Sequence, residues 1–407
     1  MDNEQLPKGY KNTEVGVIPE DWVVETLDDI SELTSSKRIF ESDYVSSGVP
    51  FYRGKEISLL NENKKLDEEY FISEEKYNGI KSVFGVPVKN DILITAVGTL
   101  GNIYLVPNNE KFYFKDGNLI WIRNIKKVLP EYLSIQLRRL RNEIINNAIG
   151  SSQKALTIVV LKKQFFPLPP TKAEQTAIAT ALSDADALIN SLEKLIAKKR
   201  NIKQGAMQKL LQPKEGWEVK KLGEISEMFS GGTPLTTNAN YYNGGIPWVV
   251  IADITKAGKY IAETEKTISN EGLLNSSAKL FRSGVLLFAM YASIGKTTIA
   301  LMDTTCNQAI LGIQPYSINK EYLYYFLSFN ERKFATMGQT GTQSNLSKDM
   351  VQKIEIPYPI EEEQTYIATI LSDMDAEIAA LETKLEKYKK VKLGMMQVLL
   401  TGKVRLV

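Results

Sequence analysis

Histidine is missing from the sequence, and cysteine occurs once, at Cys306. Without histidine, the chain lacks the commonest general base, the commonest metal ligand and every Ser-His or Cys-His nucleophile pair. A single cysteine forms no intrachain disulfide and no cysteine-based metal cluster, a usage typical of a reducing compartment. We therefore expect a protein without catalysis of its own, in which Cys306 is a small buried hydrophobic residue.

Long apolar runs and a large net charge are missing as well. The longest apolar stretch, around residues 284–295, is far shorter than the roughly 18 residues of a membrane helix, and the first ten residues, MDNEQLPKGY, have no signal-peptide character. We expect a cytoplasmic protein with no membrane contact. The net charge of +2 argues against strong non-specific binding to polyanions, although local basic patches remain open to phosphates.

The most informative feature that is present is an internal repeat. The segment EQTAIATALSDAD at residue 174 returns as EQTYIATILSDMD 189 residues later, and residues 174–211 match 363–400 without a gap at 21 of 38 positions. Apolar residues recur in alternating steps of four and three, which predicts a long helix with a heptad seam in each copy. The predicted seam consists of Ile178, Leu182, Ile189, Leu192 and Ile196, repeated as Ile367, Leu371, Ile378, Leu381 and Leu385.

Each predicted helix follows a globular segment, and the two globular segments are related. DWVVETLDDISEL at residues 21–33 matches GWEVKKLGEISEM at 216–228, and DILITAVGTLG at 91–101 matches VLLFAMYASIG at 285–295, a buried strand that runs into a glycine turn. The polar stretches GSSQKALT and TGTQSNLS each predict a loop before a short capped helix. At the domain entries the offset is 195 rather than 189, so the loops have diverged.

These patterns predict four consecutive segments and an α+β fold. Residues 1–168 and 213–358 form two α/β domains, and residues 169–212 and 359–407 form two long spacer helices. Packing the two heptad seams against each other gives antiparallel coiled-coil helices and an internal pseudo-twofold repeat.

Two further features of the helices each allow two interpretations. Gly205 and Gly394 lie at equivalent positions, where either the helix ends or kinks, or another helix approaches closely. Basic residues recur near residues 198–203 and 387–392, and they are either solvated or in contact with nucleic acid or an acidic partner.

The combination of two diverged globular domains, each followed by an EQxxIAxxLSDxD helix, resembles the specificity subunit of type I restriction-modification systems. The phrases GVPFYRGKEI, FSGGTP and GGIPW are similar to phrases in the target recognition domains of that family, and the resemblance covers essentially the whole chain. It implies a non-catalytic subunit that binds double-stranded DNA, with each domain reading one half of a bipartite site and the helices fixing the gap. It also implies two methyltransferase subunits and restriction subunits as partners, which would bring S-adenosylmethionine, ATP and Mg, whereas this chain would bind none of them.

Base reading needs side chains with donors and acceptors at a groove edge, and phosphate binding needs Lys, Arg, Ser or Thr on adjacent loops. We predict DNA contacts at loop tips in both domains. In the first domain the candidates are Ser36, Lys37, Arg38, Arg53, Thr99, Asn102, Gln153 and Lys154. In the second they are Ser230, Thr233, Tyr291, Ser293, Lys296, Thr342, Gln343 and Ser344.

Three other functions remain open at this point. The nearest is the specificity component of a related restriction system whose partner fuses methylation and cleavage. A coiled-coil scaffold with two protein-binding modules and a carboxylate-dependent hydrolase that uses Asp91 or Asp253 are the alternatives from other classes. The half-site sequences, the gap length, the modified base and the presence of a restriction subunit do not follow from one chain.

Overall fold

A computed structural model of the chain describes residues 6–62, 64–66, 69–148, 154–337 and 345–406. The chain divides into two compact units: unit 1 comprises Met1–Ser191 and Leu385–Val407, and unit 2 comprises Leu192–Lys384. Each unit therefore joins one globular domain to part of each long helix, because the helix residues beside a domain belong to its core. The four predicted segments instead separate domains from helices along the chain.

Unit 1 is built from short elements. Its strands are β1 (Tyr10–Thr13), β2 (Gly16–Pro19), β3 (Val23–Thr26), β4 (Glu32–Thr34), β5 (Tyr44–Val45), β6 (Val49–Tyr52), β7 (Tyr70–Ile72), β8 (Ile92–Thr95), β9 (Ile103–Leu105), β10 (Tyr113–Phe114), β11 (Leu119–Arg123) and β12 (Phe165–Leu168). Its helices are α1 (Leu27–Ile30), α2 (Gly54–Asn61), α3 (Glu74–Phe84), α4 (Pro130–Arg139), α5 (Arg141–Asn146) and α6 (Ile158–Lys162), with a 3-10 turn at Glu41–Asp43.

Two four-stranded sheets form the body of unit 1. One is antiparallel, in the order β4-β11-β8-β9, and the other has the order β10-β6-β7-β5, in which β10 and β6 run parallel. Strand β8 is buried along its whole length because it is central and covered on both faces. A two-stranded ribbon of β3 and β12 leads from the sheets to the first long helix.

The first long helix is α7 (Lys172–Leu210), and the elements of the second domain follow it. Its strands are β13 (Glu218–Lys221), β14 (Ser226–Ser230), β15 (Tyr242–Val249), β16 (Tyr260–Ile261), β17 (Thr267–Ile268), β18 (Leu286–Ala289), β19 (Thr297–Ala300), β20 (Thr305–Cys306), β21 (Ile310–Pro315) and β22 (Glu355–Tyr358). Its helices are α8 (Leu222–Ile225), α9 (Ile251–Lys256), α10 (Asn270–Leu274), α11 (Lys320–Phe329), α12 (Glu331–Met337) and α13 (Lys348–Gln352), followed by the long α14 (Glu361–Leu399) and with a 3-10 turn at Ala239–Tyr241.

Among the described residues, unit 2 repeats the sheets of unit 1 with one strand added, and its β15 spans the positions of both β5 and β6. Its main sheet has the order β14-β21-β18-β19-β16, where β16 adds a parallel edge to the four strands that correspond to β4, β11, β8 and β9. Its second sheet has the order β17-β15-β20, again with one parallel pair, and β13 and β22 form the ribbon beside the helix. The related mixed domains expected from the sequence are therefore present.

The short capped helices predicted before each long helix are confirmed. Thr157 caps α6 by accepting a hydrogen bond from Val160 N, and Ser347 caps α13 by accepting one from Met350 N. A side-chain oxygen at this position satisfies a backbone N–H that a helix leaves without an internal partner.

The glutamine of each EQ motif has a structural role that is the same in both units. Gln175 Oε1 accepts from Leu129 N over 2.8 Å, and Gln364 Oε1 accepts from Asn319 N over 2.7 Å. Leu129 and Asn319 are the N-cap residues of α4 and α11. The repeated motif therefore attaches each long helix to the start of a domain helix, which explains why both copies keep it.

Ion pairs show that α7 and α14 pack antiparallel. In unit 2, Lys203 pairs with Asp375 and Arg200 pairs with Glu382, so residue numbers fall on one helix as they rise on the other. In unit 1, Lys392 of α14 pairs with Asp186 of α7.

Because 203 and 392, and 186 and 375, are each 189 residues apart, the pairs Lys203–Asp375 and Lys392–Asp186 are equivalent under the internal repeat. The pairs use many of the basic residues in the repeated clusters, which leaves less positive charge for an outside partner.

The predicted heptad seam is buried. Leu381 is half-buried, and the other nine seam residues are buried. Ile178 and Leu182 belong to the main core of unit 1, and Ile367 and Leu371 to the main core of unit 2. The ends of the seam therefore serve the domain cores as well as the contact between helices.

Both helices end five residues after Gly205 and Gly394, which fits the interpretation that a helix end lies nearby, whereas no described segment approaches either glycine closely. Helix α7 continues past Gly205 to Leu210, and α14 continues past Gly394 to Leu399. A Cβ atom built on either glycine meets nothing within 4 Å in the described part of the chain.

Candidate nucleic-acid interface

Arg53 lines a cleft in unit 1 and is the N-cap residue of helix α2. Its guanidinium donates to both carboxylate oxygens of Glu56, over 3.1 and 2.8 Å, and lies 4.1 Å from the centre of the Tyr70 ring. The hydrogen bond that Arg53 donates to Glu56 holds the pKa of Arg53 above its ordinary value. The side chain is thus fixed in direction, which a reading or clamping group requires.

The cleft beside Arg53 gathers polar groups from three loops. Its lining includes Lys55 and Ser58 of α2, Thr99 of the turn after β8, and Lys115 and Asn118 of the turn between β10 and β11. Thr99 is exposed, as predicted for a loop tip. The sequence analysis did not select Lys55, Lys115 or Asn118, although a polar turn ahead of the buried strand LIWIR could have indicated the last two.

Lys37 and Arg38 lie on the segment that follows strand β4, and both are exposed. Arg38 Nε donates to Asp116 Oδ2 over 3.0 Å, and the Arg38 side chain is still 70% exposed. Lys37 Nζ lies 4.4 Å from the centre of the Phe84 ring. Arg38 thus contacts the turn at residues 115–118, which also lines the cleft.

Ser36 and Asn102 are not on loop surfaces as the sequence analysis assumed. Ser36 is 8% exposed, and its buried hydroxyl has no hydrogen-bond partner among the described residues. Asn102 is half-buried because its amide donates to Ser58 Oγ over 2.8 Å and accepts from Arg141 over 3.3 Å. Their predicted DNA contacts remain untested, but both side chains have structural positions that a DNA contact would have to disturb.

In unit 2, Ser230 ends strand β14 and is exposed, and Thr233 follows in the motif FSGGTP. The two glycines let this segment cross close to its neighbours: a Cβ on Gly231 would lie 2.2 Å from Asn307 O, and one on Gly232 would lie 2.3 Å from Ala278 N. No side chain fits at these distances. The glycine pair therefore allows Thr233 to meet the opposing turn.

The opposing turn carries Gln308, which is exposed between β20 and β21. The Thr233 hydroxyl donates to Gln308 Oε1. The sequence analysis selected Thr233 but missed Gln308, because nothing in the sequence of the turn indicates its partner.

Two lysines lie over the ring of Phe229, just before this motif. Lys279 Nζ is 3.8 Å and Lys348 Nζ 5.7 Å from the ring centre. Aromatic faces attract cations through the ring quadrupole. Both lysines were missed, because they come from segments about 50 and 120 residues further along the chain than Phe229.

Tyr291, Ser293 and Lys296 lie on the turn that follows strand β18. Tyr291 is 42% exposed, Ser293 Oγ lies 3.0 Å from Thr255 Oγ1, and Lys296 Nζ donates to Thr255 O over 3.2 Å. This turn corresponds to the turn of Thr99 in unit 1, and Thr255 is on α9 as Arg53 is beside α2. The equivalent loops of both units therefore carry polar side chains.

Four predicted contact residues, Gln153, Thr342, Gln343 and Ser344, lie outside the described residues. Lys154 is described and exposed.

The two acids considered for a hydrolase have structural partners. Asp91 is 6% exposed and accepts hydrogen bonds from Trp121 Nε1 over 2.8 Å and Val88 N over 3.0 Å. Burial raises its pKa. Asp253 is 7% exposed and accepts from Val250 N over 2.9 Å, which caps helix α9. Carboxylates that are buried and bonded in this way stabilise the fold and do not face a substrate.

Cys306 is buried, and burial raises the pKa of its thiol to about 12. A protonated, enclosed thiol behaves as a hydrophobic side chain. Among the described residues, no group of three or more Asp, Glu or Cys side chains is arranged to hold a metal ion. Nor does the described part of the chain contain a helix long and apolar enough to span a membrane.

The repeat and the paired long helices together define a class of protein with two related domains, each joined to a long helix. Comparison with known proteins agrees with this class, because the type I restriction modification DNA specificity domain matches the chain twice, over residues 19–204 and 214–390. The chain belongs to this family. Membership implies recognition of a DNA sequence.

Individual relatives extend this comparison over the whole chain. A putative type I restriction enzyme MjaX specificity subunit of Methanocaldococcus jannaschii is 28% identical over 433 residues, which cover 98% of this chain and 97% of the relative. The type I restriction enzyme EcoR124I/EcoR124II specificity subunit of Escherichia coli is 28% identical over 175 residues, covering 41% of this chain and 43% of that subunit.

Solved structures share the fold. The S subunit of a type I restriction-modification system from M. genitalium matches with a TM-score of 0.59 at 16% identity, and the match covers 93% of this chain and 96% of that one. A chain from a study of complex assembly and conformational transition of the type I R-M system matches with a TM-score of 0.61 at 19% identity, covering 95% of this chain and 99% of that one.

Proposed function

We propose that this chain reads a bipartite DNA sequence, with the domain of unit 1 recognising one half-site and the domain of unit 2 the other. The observation that carries the proposal is the contrast inside the repeat: the helices and the backbone of the sheets are kept alike, whereas the loop tips carry different polar side chains. A protein that read the same sequence twice would keep its tips alike. Different tips on a common backbone support an asymmetric site.

Each domain supplies the two kinds of contact that sequence-specific binding requires. Phosphate contacts position a protein on the duplex, and contacts to base edges give specificity. In unit 2, Lys279 and Lys348 are available for phosphates, and Gln308 for a base edge. In unit 1, Lys37 is available for phosphates and Arg38 for a base edge.

The partners follow from the same proposal. Two methyltransferase subunits would bind the chain, and restriction subunits would join the full complex, with the helices holding the two half-sites at a constant spacing. S-adenosylmethionine, ATP and Mg would bind the partners, and this chain would select the DNA and perform no chemistry. A system whose partner fuses methylation and cleavage would use the chain in the same way.

Exchange of one domain tests the proposal. Residues 20–165 are replaced by the matching segment of another family member, and methylated bases are mapped across the genome of a strain that carries the complete system. We expect one half-site of the methylated motif to change and the other to stay. The reciprocal exchange of residues 215–355 serves as the matched control and should change the other half-site. A motif that changes in both halves, or in neither, would show that the domains do not read independently.

A further inference from the structure

Arg38 and Thr233 are structurally equivalent, and they are 195 residues apart, the same offset at which the entries of the two domains align. In unit 1, Trp121 of β11 pairs with Leu93 of the central strand and with Thr34 on its other side. Arg38 follows Thr34 by four residues.

The same register holds in unit 2. Gly312 of β21 pairs with Leu287 of the central strand and with Phe229 on its other side. Thr233 follows Phe229 by four residues. The strand register therefore places Arg38 and Thr233 at the same point of the repeated fold.

Each residue contacts a polar side chain on the turn that precedes the second strand of its main sheet. That strand is β11 in unit 1 and β21 in unit 2. Arg38 meets Asp116, ahead of β11, and Thr233 meets Gln308, ahead of β21. We name these contacts the tip pairs: Arg38–Asp116 in unit 1 and Thr233–Gln308 in unit 2. Their chemistry differs completely, while the backbone that presents them is the same.

Stability alone gives little reason for the tip pairs. Exposed ion pairs contribute about 0–1 kcal/mol to folding. Arg38 is 70% exposed in its pair, and Gln308 is exposed at the turn. What each pair does fix is direction, because a side chain bonded at one atom can rotate less at the others.

The charge of the pairs argues against simple phosphate clamping. An arginine paired with an aspartate brings a negative charge close to any phosphate it approaches, and neither Thr233 nor Gln308 is charged. Lysines lie beside each tip, Lys37 in unit 1 and Lys279 in unit 2. They are better suited to phosphates, because they form no ion pair with a carboxylate among the described residues.

We propose that the tip pairs are specificity-determining elements, in which Arg38 and Gln308 each read one G·C base pair and Asp116 and Thr233 orient them. This inference rests on the proposed function. The pair in unit 1 engages Arg38 at Nε, and the pair in unit 2 engages Gln308 at its carbonyl oxygen. The pairs leave donors unengaged, the Nη atoms of Arg38 and the Nε2 of Gln308. Guanine presents two adjacent acceptors, N7 and O6, in the major groove, which no other base does.

Substitutions in unit 2 test the proposal with the complete complex in its host strain. In Gln308→Ala the reading amide is lost, and in Thr233→Val the orienting hydroxyl is lost at nearly constant shape. Mapping of methylated bases should show one G·C position of one half-site losing its preference by roughly 5- to 150-fold, the value of one good base contact. The other half-site should be unchanged. Thr233→Ser keeps the hydroxyl and should restore the preference.

Gln314→Ala is the matched control. Gln314 is exposed on strand β21, six residues beyond Gln308 in the turn before that strand, and therefore up to about 20 Å away. Its replacement should leave the methylated motif intact. Arg38→Ala and Asp116→Asn form the corresponding series in unit 1 and should relax a position in the opposite half-site.

The outcomes separate this inference from the proposed function. If the wild-type complex methylates no defined sequence, the proposed function fails. If the wild-type motif is bipartite and Gln308→Ala leaves it unchanged, relaxes an A·T position, or weakens methylation equally at all sequences, the tip pair does not read a base pair and the inference is overturned. Should Thr233→Val lower the melting temperature of the chain, Gln308→Ala decides, because Gln308 is exposed in a turn.

Discussion

Units 1 and 2 share their backbone hydrogen bonds and differ in the side chains that their loops present. In both, a glycine closes the turn after the central strand: Gly101 N donates to Thr95 O over 2.8 Å, and Gly295 N to Ala289 O over 2.9 Å. Other equivalent bonds agree to within 0.2 Å, among them Leu156 N to Ala96 O with Leu346 N to Met290 O, and Leu27 N to Gln164 O with Leu222 N to Ile354 O. Sheet geometry therefore tolerates wide variation in side chains that point away from the core.

The attachment of each domain to its long helix shows the same freedom. In unit 2, Glu363 accepts from Lys214 over 2.7 Å and from Trp217 Nε1 over 2.8 Å. In unit 1, the equivalent Glu174 pairs with Arg405, and the buried Trp22 Nε1 has no partner in the described part of the chain. The acid is constant, whereas the cation comes from different parts of the chain.

Unit 2 has an additional contact beside β16, a strand with no counterpart among the described residues of unit 1. Lys259, next to β16, donates to Tyr325 Oη over 3.0 Å and to Ser372 Oγ over 2.9 Å, and it pairs with Glu321. Its side chain is only 10% exposed. This buried ammonium connects the domain to α14 through polar contacts.

The largest expected effect tests whether the two long helices contribute equally to the free energy of unfolding. Leu182→Ala and its repeat equivalent Leu371→Ala each remove a side chain that is 0% exposed, and each should lower the free energy of unfolding by about 2–5 kcal/mol. Guanidinium denaturation, followed by circular dichroism, measures the change. Leu188→Ala, at a position that is 37% exposed, is the control and should cost much less. Unequal losses for Leu182→Ala and Leu371→Ala would show that the repeat is not energetically symmetric.

Lys259→Met tests the contact that unit 2 has alone. Removing the ammonium leaves Glu321 without its charged partner, so we expect a loss of about 1–3 kcal/mol, below the range for fully buried pairs because Glu321 is 27% exposed. Thermal unfolding of the full chain measures it. Lys256→Met removes an exposed lysine of the same segment and should have almost no effect. Equal behaviour of the two variants would contradict a stabilising role for Lys259.

Substitution by alanine is expected to change stability in opposite directions at two equivalent positions, residue 231 in unit 2 and residue 36 in unit 1. Gly231→Ala places a Cβ 2.2 Å from a backbone oxygen, which should destabilise unit 2 by about 1–3 kcal/mol. Ser36→Ala removes a buried hydroxyl that has no partner among the described residues, so stability should stay the same or rise by up to about 1 kcal/mol. Melting temperatures of both variants test this, and a clear loss for Ser36→Ala would mean that its hydroxyl has a partner. Unchanged DNA affinity in Ser36→Ala would also exclude Ser36 as a contact.

The smallest effect depends on pH. The hydrogen bond from Lys214 holds the pKa of Glu363 below its ordinary value, so the ionised carboxylate stabilises the fold above the unfolded pKa of about 4.3. This stability is lost as the pH falls through the folded pKa. Glu363→Gln should therefore be slightly less stable at pH 7, by less than about 1 kcal/mol, and equal to the wild type in strong acid. Glu361 is exposed, so Glu361→Gln serves as the control. A stability difference between Glu363→Gln and the wild type that grows toward low pH would contradict the prediction.

The sequence predicted the parts of the fold that depend on local periodicity. The heptad steps identified both long helices and their buried face, and the turn before each helix predicted the caps at Thr157 and Ser347. The candidate interface was predicted less well. Thr233 and Arg38 were selected as loop residues, but their partners Gln308 and Asp116 are about 75 and 78 residues away, and no local pattern connects them. Ser36 was misplaced because a short polar residue beside a turn looks the same whether its side chain faces the core or solvent.

By itself, the sequence determined that the protein is a repeat of domain and helix without the side chains for histidine or cysteine chemistry. This was possible because composition and periodicity are properties of the local sequence and do not depend on contacts between distant segments. Tertiary structure decided which polar groups are structural, such as Asp91 under Trp121, and which remain exposed in tip pairs. It decided this because the direction of a side chain depends on strand register, and register is set by the packing of segments that are distant in sequence.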